Sequence, residues 1–380
     1  MKLRLVTFSL CTLLLFSSRS NAQQEREARL WLTTSDRTAL VAPQATPLRF
    51  SSEAGKLPVL IVDDTQHFQT MDGFGFALTG GSAQLLMRMS AAQRAALLKQ
   101  LFTTGGDGIG VSDLRVSIGA SDMNERVYSY DDLPAGETDV EMTKLSLGPD
   151  RADVIPVLKE ILAIRPGIKI LGSPWSAPAW MKTNDDVKGG ELKPEYYGAF
   201  AKYFVKYIEA MRAEGIAIDA ITVENEPLNP KNTPSMVMCA QEQDTFIAKD
   251  LGPAFEKAGI RTKILLYDHN PDVASYPLSI LGDPAASKYV DGTAFHLYGG
   301  EASVLTQVHD AFPKKNLYMT EQSVTARRGE GPLGIAEPPE DKVVLVVSNT
   351  GNFPKPFAVK YHGKVFQTVL PAESVGTYVW

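Results

Sequence analysis

The sequence predicts an α/β fold, most simply a (β/α)8 TIM-type barrel, with a small antiparallel β-sandwich side domain. Between about residues 71 and 322, short apolar strands alternate with amphipathic helices. Repeated βα units of this size are typical of a parallel sheet closed into a barrel. Both ends of the chain instead alternate apolar and polar residues, as half-exposed antiparallel strands do. We therefore predict that the side domain is built from both chain ends.

The first 22 residues have the layout of a cleaved secretory signal. Lys2 and Arg4 precede an apolar run from Leu5 to Phe16, and small and polar residues follow as far as Ala22. The apolar run is too short to cross a bilayer, and no later stretch approaches the length needed. We expect cleavage near Ala22, a secreted or periplasmic mature protein, and no transmembrane segment.

Charge and cysteine content exclude several classes of protein. After removal of residues 1–22, 35 Lys and Arg face 44 Asp and Glu, so the chain has no electrostatic basis for binding nucleic acid. Cys239 is the one cysteine left, which makes an intrachain disulfide impossible. A large hydrophobic core must therefore stabilise the fold.

The barrel region contains seven predicted strands and five predicted helices. Gly215, Gly259 and the Arg165–Gly167 turn stand where helices should end. The predicted strands are 73–77, 113–118, 168–173, 220–223, 263–267, 293–297 and 317–320, and the predicted helices are 82–101, 152–164, 195–213, 241–257 and 304–312. In the side domain we predict strands over 29–33, 58–63, 342–348, 357–361, 365–370 and 376–380.

An eighth barrel unit is not evident. Residues 325–341 are rich in glycine, proline and charge and contain no strand–helix pattern. We therefore predict a barrel that is incomplete at its eighth unit. The predicted organisation is a signal peptide (1–22), amino-terminal side-domain strands (23–66), the barrel (67–324), a linker (325–341) and carboxyl-terminal side-domain strands (342–380).

Two barrel strands end in glutamates that could do chemistry together. Ile221–Pro227 carries Glu224 and Glu226, and Leu317–Gln322 carries Glu321. Residues at the carboxyl ends of barrel strands line the active site, and two carboxylates about 5–5.5 Å apart can hydrolyse a glycosidic bond with retention. The acid needs a raised pKa, whereas the nucleophile must stay ionised. Alternation puts Glu224 and Glu226 on the same side, so spacing does not choose between them.

The other strand ends would supply a sugar-binding rim. Aromatic rings stack on sugar C–H surfaces, and Asp, Asn and His side chains bind hydroxyl groups. The segment Asp268–Asn270 could suggest a metal site, but three consecutive residues rarely point at one ion. We interpret that segment as a structural turn, and no metal or cofactor is implied. The rim residues are found in 73–77, 117–122, 173–180, 225–227, 267–270, 296–298 and at 321.

Five ordered motifs resemble glycoside hydrolase family 30, which includes glucosylceramidases and microbial endo-β-1,6-glucanases. They are Met71–Gly75, Leu114–Gly119, Gly172–Pro178, Glu224–Pro227 and Phe295–Tyr298. The resemblance implies a (β/α)8 barrel with a β-sandwich, retention of configuration, and a β-linked glucan or glucoside as substrate, in carbohydrate or sphingolipid metabolism. The segments 227–230 and 294–300 look closer to the endo-β-1,6-glucanase branch.

Carried over motif by motif, the resemblance assigns individual residues. Glu226 would be the acid/base and Glu321 the nucleophile. Asn225 would hold the sugar 2-hydroxyl, and the glucosyl subsite would be lined by Asp122, Trp175, His296 and Tyr298.

The chain departs from the family pattern after Gln322. Family members continue into an eighth barrel unit and further side-domain strands, which are not seen between Gln322 and Glu340. Losing one strand would expose two barrel edges and remove a wall of the site. An alternative function follows, that of a truncated, catalytically inactive relative that binds glycan.

Overall fold

The computed structural model describes residues 27–53, 55–106, 108–323 and 342–380. These residues form two compact units, one from residues 27–70 together with 342–380 and the other from residues 71–323. The predicted signal peptide and linker lie outside the described residues, so those boundaries stay predictions.

The described residues contain fifteen strands, of which seven belong to the larger unit. The seven strands are close to those predicted from the sequence. In chain order the strands are β1 (Glu27–Thr34), β2 (Ala42–Pro43), β3 (Leu48–Arg49), β4 (Val59–Val62), β5 (Gly75–Leu78), β6 (Asp113–Ser117), β7 (Lys169–Ser173), β8 (Ala220–Thr222), β9 (Lys263–His269), β10 (Val290–His296), β11 (Asn316–Glu321), β12 (Val344–Asn349), β13 (Lys355–Tyr361), β14 (Lys364–Leu370) and β15 (Ser374–Val379).

The larger unit is a curled parallel sheet with the strand order β11-β10-β9-β8-β7-β6-β5. Every neighbouring pair is parallel, and Leu114, Ile170, Ile221 and Leu266 lie buried along the inner strands. Within the described residues, β5 and β11 are the two edges of this sheet. The part of the chain that the structure describes thus forms seven strands of the predicted barrel.

Helices follow the strands and cover the sheet. Beside them are short 3-10 helices over Gly148–Ala152, Ala179–Met181 and Pro194–Tyr196 and a π-helical turn over Ile247–Leu251. The α-helices are α1 (Gly80–Arg88), α2 (Ala91–Phe102), α3 (Val154–Ile164), α4 (Tyr197–Ala213), α5 (Ala240–Phe246), α6 (Gly252–Ala258), α7 (Ser275–Gly282), α8 (Pro284–Ser287) and α9 (Ser303–Ala311).

Helix α4 shows how the aromatic residues fill the core. Phe200, Tyr203, Phe204 and Tyr207 are all buried, and Tyr130 stacks on Tyr207 with ring centroids 5.7 Å apart. The aromatic stripe of this helix therefore belongs to the core. Burial of aromatic rings of this size contributes strongly to stability.

Three helical regions differ from the sequence prediction. The single helix predicted over 82–101 is two helices, because Ser90 begins α2 with a capping box to Gln93. The helix predicted over 241–257 is divided by the π-helical turn between α5 and α6. The sequence prediction missed α7, where Pro277 lies in the first turn, a place that needs no intrahelical N–H bond.

The smaller unit joins both chain ends, as predicted. Strand β1 pairs antiparallel with β15, which also pairs with β12, while β14, β13 and β4 form a second sheet. Strand β4 is parallel to β13, an exception to the predicted antiparallel pattern. The core of this unit contains Phe357, Phe366, Tyr378 and Trp380.

None of the helices in the described residues is both long and apolar enough to cross a membrane.

Candidate active site

Glu226 lies just beyond the end of β8 in a backbone conformation that few residues adopt. Its φ is +49°, and its N–H donates to the carbonyl of Asp268 at 3.0 Å. Tyr267 and Asp268 at the end of β9 also have positive φ, at +75° and +58°. Left-handed non-glycine residues each cost about 1–3 kcal/mol and cluster at functional sites. The surrounding contacts therefore hold these two strand ends in a set geometry.

The carboxylate of Glu226 is buried and has hydrogen-bond partners on both oxygens. Oε2 accepts from the side-chain amides of Asn229 at 2.6 Å and Asn232 at 3.1 Å. Oε1 lies 3.1 Å from Nδ1 of His296 and 3.9 Å from Nδ1 of His269. Burial alone would raise the pKa of Glu226, but the His296 and Asn229 hydrogen bonds and the histidine charges outweigh burial and lower it. This direction is opposite to the raised pKa that the sequence analysis expects of a general acid.

Glu321 ends β11 and is partly exposed to solvent. Arg115 donates from Nη1 to Oε2 at 2.8 Å, and the hydroxyl of Tyr298 donates to Oε1 at 3.0 Å. One donor comes from a strand across the sheet and the other from the segment after β10. Together they fix the orientation of both carboxylate oxygens.

The two glutamates, distant in the sequence, meet at the same mouth. One carboxylate oxygen of Glu226, one of Glu321 and one ring nitrogen of His296 all lie within 4.8 Å of one another. A carboxyl separation of about 5–5.5 Å is the retaining geometry, whereas inversion needs about 6.5–9.5 Å. Three such groups could surround a metal ion, but both carboxylates already accept hydrogen bonds from neighbouring side chains. We therefore assign no metal to them.

Asp268 connects the two halves of the site. It is fully buried, and its carboxylate accepts hydrogen bonds from Arg115, Ser173, Thr222 and Thr320, with His296 Nε2 also 3.1 Å away. Burial would raise the pKa of Asp268, but Arg115, His296 and Thr320 lower it well below its usual range. Asp268 is therefore a permanent negative charge in the centre of the sheet.

Arg115 is the buried cation that faces these acids. Its Nη2 lies 2.8 Å from Asp268 Oδ2 and 2.7 Å from Asn225 Oδ1, and its guanidinium lies 4.7 Å from the centre of the Trp175 ring. Burial opposes the charge, but Asp268 and Glu321 outweigh burial and raise the pKa of Arg115. Because Nη1 donates to Glu321 and Nη2 to Asp268 and Asn225, the planar guanidinium fixes the geometry of the site as well as its charge.

The remaining predicted residues lie around the same mouth, though they differ in access to solvent. Asn225 and Trp175 are buried against Arg115, and His296 is fully buried. Tyr298 is 38% exposed. The pKa of Asp122, which is open to solvent, is raised by partial burial and by the charges of Glu321 and Glu226. The mouth therefore gathers all the predicted positions, and their individual roles stay predictions.

Glu224 and Glu226 have different environments, a difference that strand alternation does not predict. The left-handed turn at Glu226 breaks the alternation. Glu224 is fully buried, and neither carboxylate oxygen hydrogen-bonds to a described residue. Burial raises the pKa of Glu224 well above its usual value. Of the two, Glu226 is the acid that meets Glu321.

Sequence reasoning missed the site's connecting residues. Arg115 lies inside the motif Leu114–Gly119, where a cation within an apolar strand is a strong signal of a buried ion pair. Asp268 belongs to the segment that the sequence indicates as a structural turn. The backbone does turn there, but the carboxylate belongs to the site. Asn229 and Asn232 lie in a loop whose path the sequence pattern does not specify.

Comparison with known proteins agrees with this geometry. Residues 71–351 match the glycosyl hydrolase family 30 TIM-barrel domain, and residues 337–378 match the family 30 β-sandwich domain. An endo-1,6-β-D-glucanase of Neurospora crassa is 38% identical over 314 residues, which are 80% of this chain and 64% of that protein. The lysosomal acid glucosylceramidase of Mus musculus is 32% identical over 286 residues, 71% of this chain and 54% of that protein.

Solved structures agree as well. A solved endo-β1,6-glucanase has a TM-score of 0.83 and 29% identity, covering 93% of this chain and 99% of that one. SrfJ of Salmonella typhimurium, at 22% identity, shares the fold with a TM-score of 0.80 and covers 93% of this chain and 99% of its own. The chain spans only 64% and 54% of the two curated relatives described above. On the match to both domain models, the chain belongs to glycosyl hydrolase family 30.

Proposed function

We propose that the chain is a retaining β-glycoside hydrolase acting on β-glucosides by double displacement. Glu321 is the nucleophile and Glu226 the acid/base. The observation that carries the proposal is that one carboxylate oxygen of Glu226 lies within 4.8 Å of one carboxylate oxygen of Glu321. So short an approach fits the carboxyl separation of about 5–5.5 Å used for direct attack better than the roughly 6.5–9.5 Å that admits an attacking water.

The proposed reaction has two halves, and both glutamates take part in each of them. A Glu321 oxygen forms a bond to the anomeric carbon while the glycosidic C–O bond breaks and the departing oxygen takes a proton from Glu226. Water then attacks the same carbon, gives its proton to Glu226, and releases Glu321. The Arg115 and Tyr298 donors fix the orientation of the Glu321 carboxylate before the attack, and prior positioning of this kind lowers the barrier.

The proposed substrate is a β-1,6-linked glucan, with glucosylceramide-type glucosides as the other member of the class. The basis is the greater identity to an endo-1,6-β-D-glucanase, 38%, than to a glucosylceramidase, 32%. Open access to Tyr298 and Asp122 fits binding of sugar hydroxyls and ring faces from solvent.

Export is part of the proposal, on the basis of the predicted signal peptide of residues 1–22. Amino-terminal sequencing of protein recovered outside the cytoplasm of the producing cell tests it. A start at residue 23 is expected, and retention of Lys2 and Arg4 in the cytoplasm would contradict export.

The test of the proposed function combines rate and stereochemistry. Wild type, Glu226→Ala and Glu321→Ala are compared on a fluorogenic β-glucoside and on a β-1,6-glucan, with a β-1,4-xylan as control polymer. We expect wild-type turnover, and loss of roughly 10⁴-fold or more for Glu321→Ala. Proton NMR of the first product should show the β-anomer. Turnover that persists in both variants, or a first product of α configuration, would end the proposal.

A second candidate is a glycan-binding relative without hydrolytic activity. The observation that favours it is the sheet of seven strands in the described residues, with β5 and β11 at its edges. Urea unfolding and a calorimetric titration with β-1,6-glucan oligosaccharides separate the two candidates. Binding without turnover in a cooperatively folded protein supports the second candidate, whereas turnover excludes it.

A further inference from the structure

His296 lies between two carboxylates, one on each ring nitrogen. Nε2 is 3.1 Å from Asp268 Oδ1, and Nδ1 is 3.1 Å from Glu226 Oε1. The ring is fully buried at the end of β10. Each ring nitrogen of His296 therefore has a hydrogen-bond partner within the protein.

This geometry fixes how many protons the group must hold. An ionised carboxylate only accepts hydrogen bonds. Nε2 must therefore carry a hydrogen toward Asp268, whose carboxylate is permanently ionised. Between Nδ1 and Glu226 Oε1 there must also be one proton, which can reside on the ring nitrogen or on the oxygen. Without it, two lone pairs would face each other in a buried contact.

Asp268 is held too firmly to change its role. Its carboxylate accepts from residues of four other strands besides β10, namely Arg115 of β6, Ser173 of β7, Thr222 of β8 and Thr320 of β11. Its carbonyl accepts from the N–H of Glu226. Movement of Asp268 would therefore displace both the ring of His296 and the backbone of the acid/base residue.

We propose that Asp268 is a positioning residue for the acid/base step, because it orients His296 so that the ring and Glu226 share one proton. The inference rests on the proposed function and extends it. In this arrangement Glu226 is not an isolated acid with a raised pKa. The proton for the departing oxygen is stored in the His296–Glu226 contact.

The proton that Glu226 gives to the departing oxygen is returned later in the reaction. The shared proton moves from Nδ1 to Oε1, which leaves a neutral His296 whose Nε2–H still points at Asp268. Glu226 then passes the proton to the glycosidic oxygen, which keeps the electron pair of the broken C–O bond, and Glu321 bonds to the anomeric carbon. In the second half, the attacking water returns a proton to Oε1 and so to Nδ1.

Charged and titratable groups from every neighbouring element face this ring. They are Asp268 on β9, Glu226 after β8, Glu321 on β11 with an oxygen 3.9 Å from Nδ1, Arg115 on β6, His269 after Asp268, and Tyr298 after β10. Burial would lower the pKa of His296, but Asp268 and Glu226 outweigh burial and raise it to about 9. The ring should therefore keep both protons at neutral pH.

The first measurement needs no substrate. Nitrogen-15 NMR of the histidine rings, with His296 assigned by comparison with His296→Gln, reports the protonation of each ring nitrogen. In the wild type we expect both nitrogens of His296 to be protonated at pH 7 and still largely so at pH 8. In Asp268→Asn we expect a neutral ring at pH 7. An Nε2 of His296 without a hydrogen at pH 7 in the wild type overturns the proposal, because Asp268 would then not orient the ring.

The second measurement uses two aryl β-glucosides, one with a poor and one with a highly activated leaving group. Only the poor leaving group needs a proton. Asp268→Asn and His296→Gln should lose about 10²–10⁴-fold in kcat/KM on the poor leaving group, and less than about tenfold on the activated one. The alkaline limb of the Asp268→Asn pH profile should also move to lower pH.

Thr222→Val is the matched control, because it removes a donor from Oδ2 of the same Asp268 carboxylate and leaves the Oδ1 contact with His296 in place. It should lower stability without changing the ratio between the two substrates. Equal losses on both substrates in Asp268→Asn and in His296→Gln would overturn the inference, since a merely structural role affects both alike. If the wild type hydrolyses neither glucoside, the proposed function fails, while the ring protonation is still read by NMR.

Discussion

Glu226 and Glu321, the two acids at the mouth, differ in the number of neighbouring strands that hold them. Glu226 follows β8, which pairs with β7 on one side and β9 on the other, and Thr222 at its end is fully buried. Glu321 ends β11, which in the described residues pairs only with β10, and Met319 on this strand is 49% exposed. Glu226 therefore follows an interior strand of the sheet, whereas Glu321 lies on an edge strand.

This difference shows where the precision of the site originates. A strand with neighbours on both sides is held by two ladders of hydrogen bonds, whereas an edge strand has one. The edge acid is instead fixed by side chains, since Arg115 reaches from Asp268 in the interior to Glu321. The interior charge network thus transmits its geometry to the edge.

Among the predicted substitutions, removal of Arg115 should have the largest effect, because it breaks the link between Asp268 and Glu321. Arg115→Met removes one of the two cations that face the buried carboxylate of Asp268 and leaves His296 as the other, and breaking a buried ion pair costs about 3–5 kcal/mol. We expect that loss in the free energy of unfolding from urea titrations, together with strongly reduced turnover.

Arg115→Lys is the matched control, because it keeps the positive charge and removes the planar guanidinium. It keeps the cation but has one nitrogen in place of the two that donate to Asp268 and Glu321, so it should recover part of the stability and little of the turnover. An Arg115→Met protein as stable as the wild type would mean that Asp268 needs no such partner.

The pH dependence of stability should reveal the interior cluster. The folded pKa of His296 is raised from 6.5 to about 9. Its stabilisation is therefore complete below pH 6.5 and is lost as the pH rises through 9, with a total of roughly 3 kcal/mol at 1.36 kcal/mol per unit. Unfolding free energies of wild type and His296→Gln, measured from pH 6 to 9.5, should converge as the pH rises. A constant difference would show that His296 titrates normally.

Glu224 follows the same interior strand β8, two residues before Glu226, and its environment contrasts with that of Glu226. Its folded pKa is raised by burial, so the folded state keeps a proton that the unfolded chain releases near pH 4.5. Stability is therefore lost as the pH rises above that value. Glu224→Gln removes this loss, so it should be more stable than the wild type, by a larger margin at pH 7 than at pH 5.

Urea unfolding of Glu224→Gln at pH 5 and pH 7 measures the gain, with Glu226→Gln as the matched variant. Because the pKa of Glu226 is lowered, the stabilisation from its carboxylate is present above the unfolded pKa and lost in acid. Glu226→Gln should therefore be destabilised relative to wild type at pH 7. A stability gain for both variants would contradict the distinction between the two acids.

Much of the fold could be predicted from the sequence because it depends on local patterns. Strands β6 to β11 are short apolar runs, and their period and bounding residues identify them without tertiary information. The sequence pattern alone does not specify two other features. The predicted 82–101 helix is divided at Ser90 by a helix cap, and α7 contains a proline. Tertiary packing decides the effects of such caps and prolines.

The site was predictable where a residue ends a strand and unpredictable where a residue connects strands. Glu226, Glu321 and Asn225 follow from the rule that strand ends line the mouth. Asp268 also ends a strand, but its importance lies in five donors from other strands, which a linear pattern cannot reveal. The lowered pKa of Glu226 has the same origin, since it depends on His296, seventy residues later in the chain.

A matched pair of substitutions tests the contrast between interior and edge most directly. Thr222 on β8 and Thr320 on β11 each donate to Asp268, at 2.8 and 2.5 Å, and valine has the shape of threonine without the hydroxyl. Thr222 is fully buried, so Thr222→Val should cost about 2 kcal/mol in unfolding free energy. Thr320 is half-buried, and water can replace its hydroxyl, so Thr320→Val should cost about 1 kcal/mol. Equal costs would show that the edge strand is as firmly held as the interior, and that Arg115 is not needed to carry geometry to Glu321.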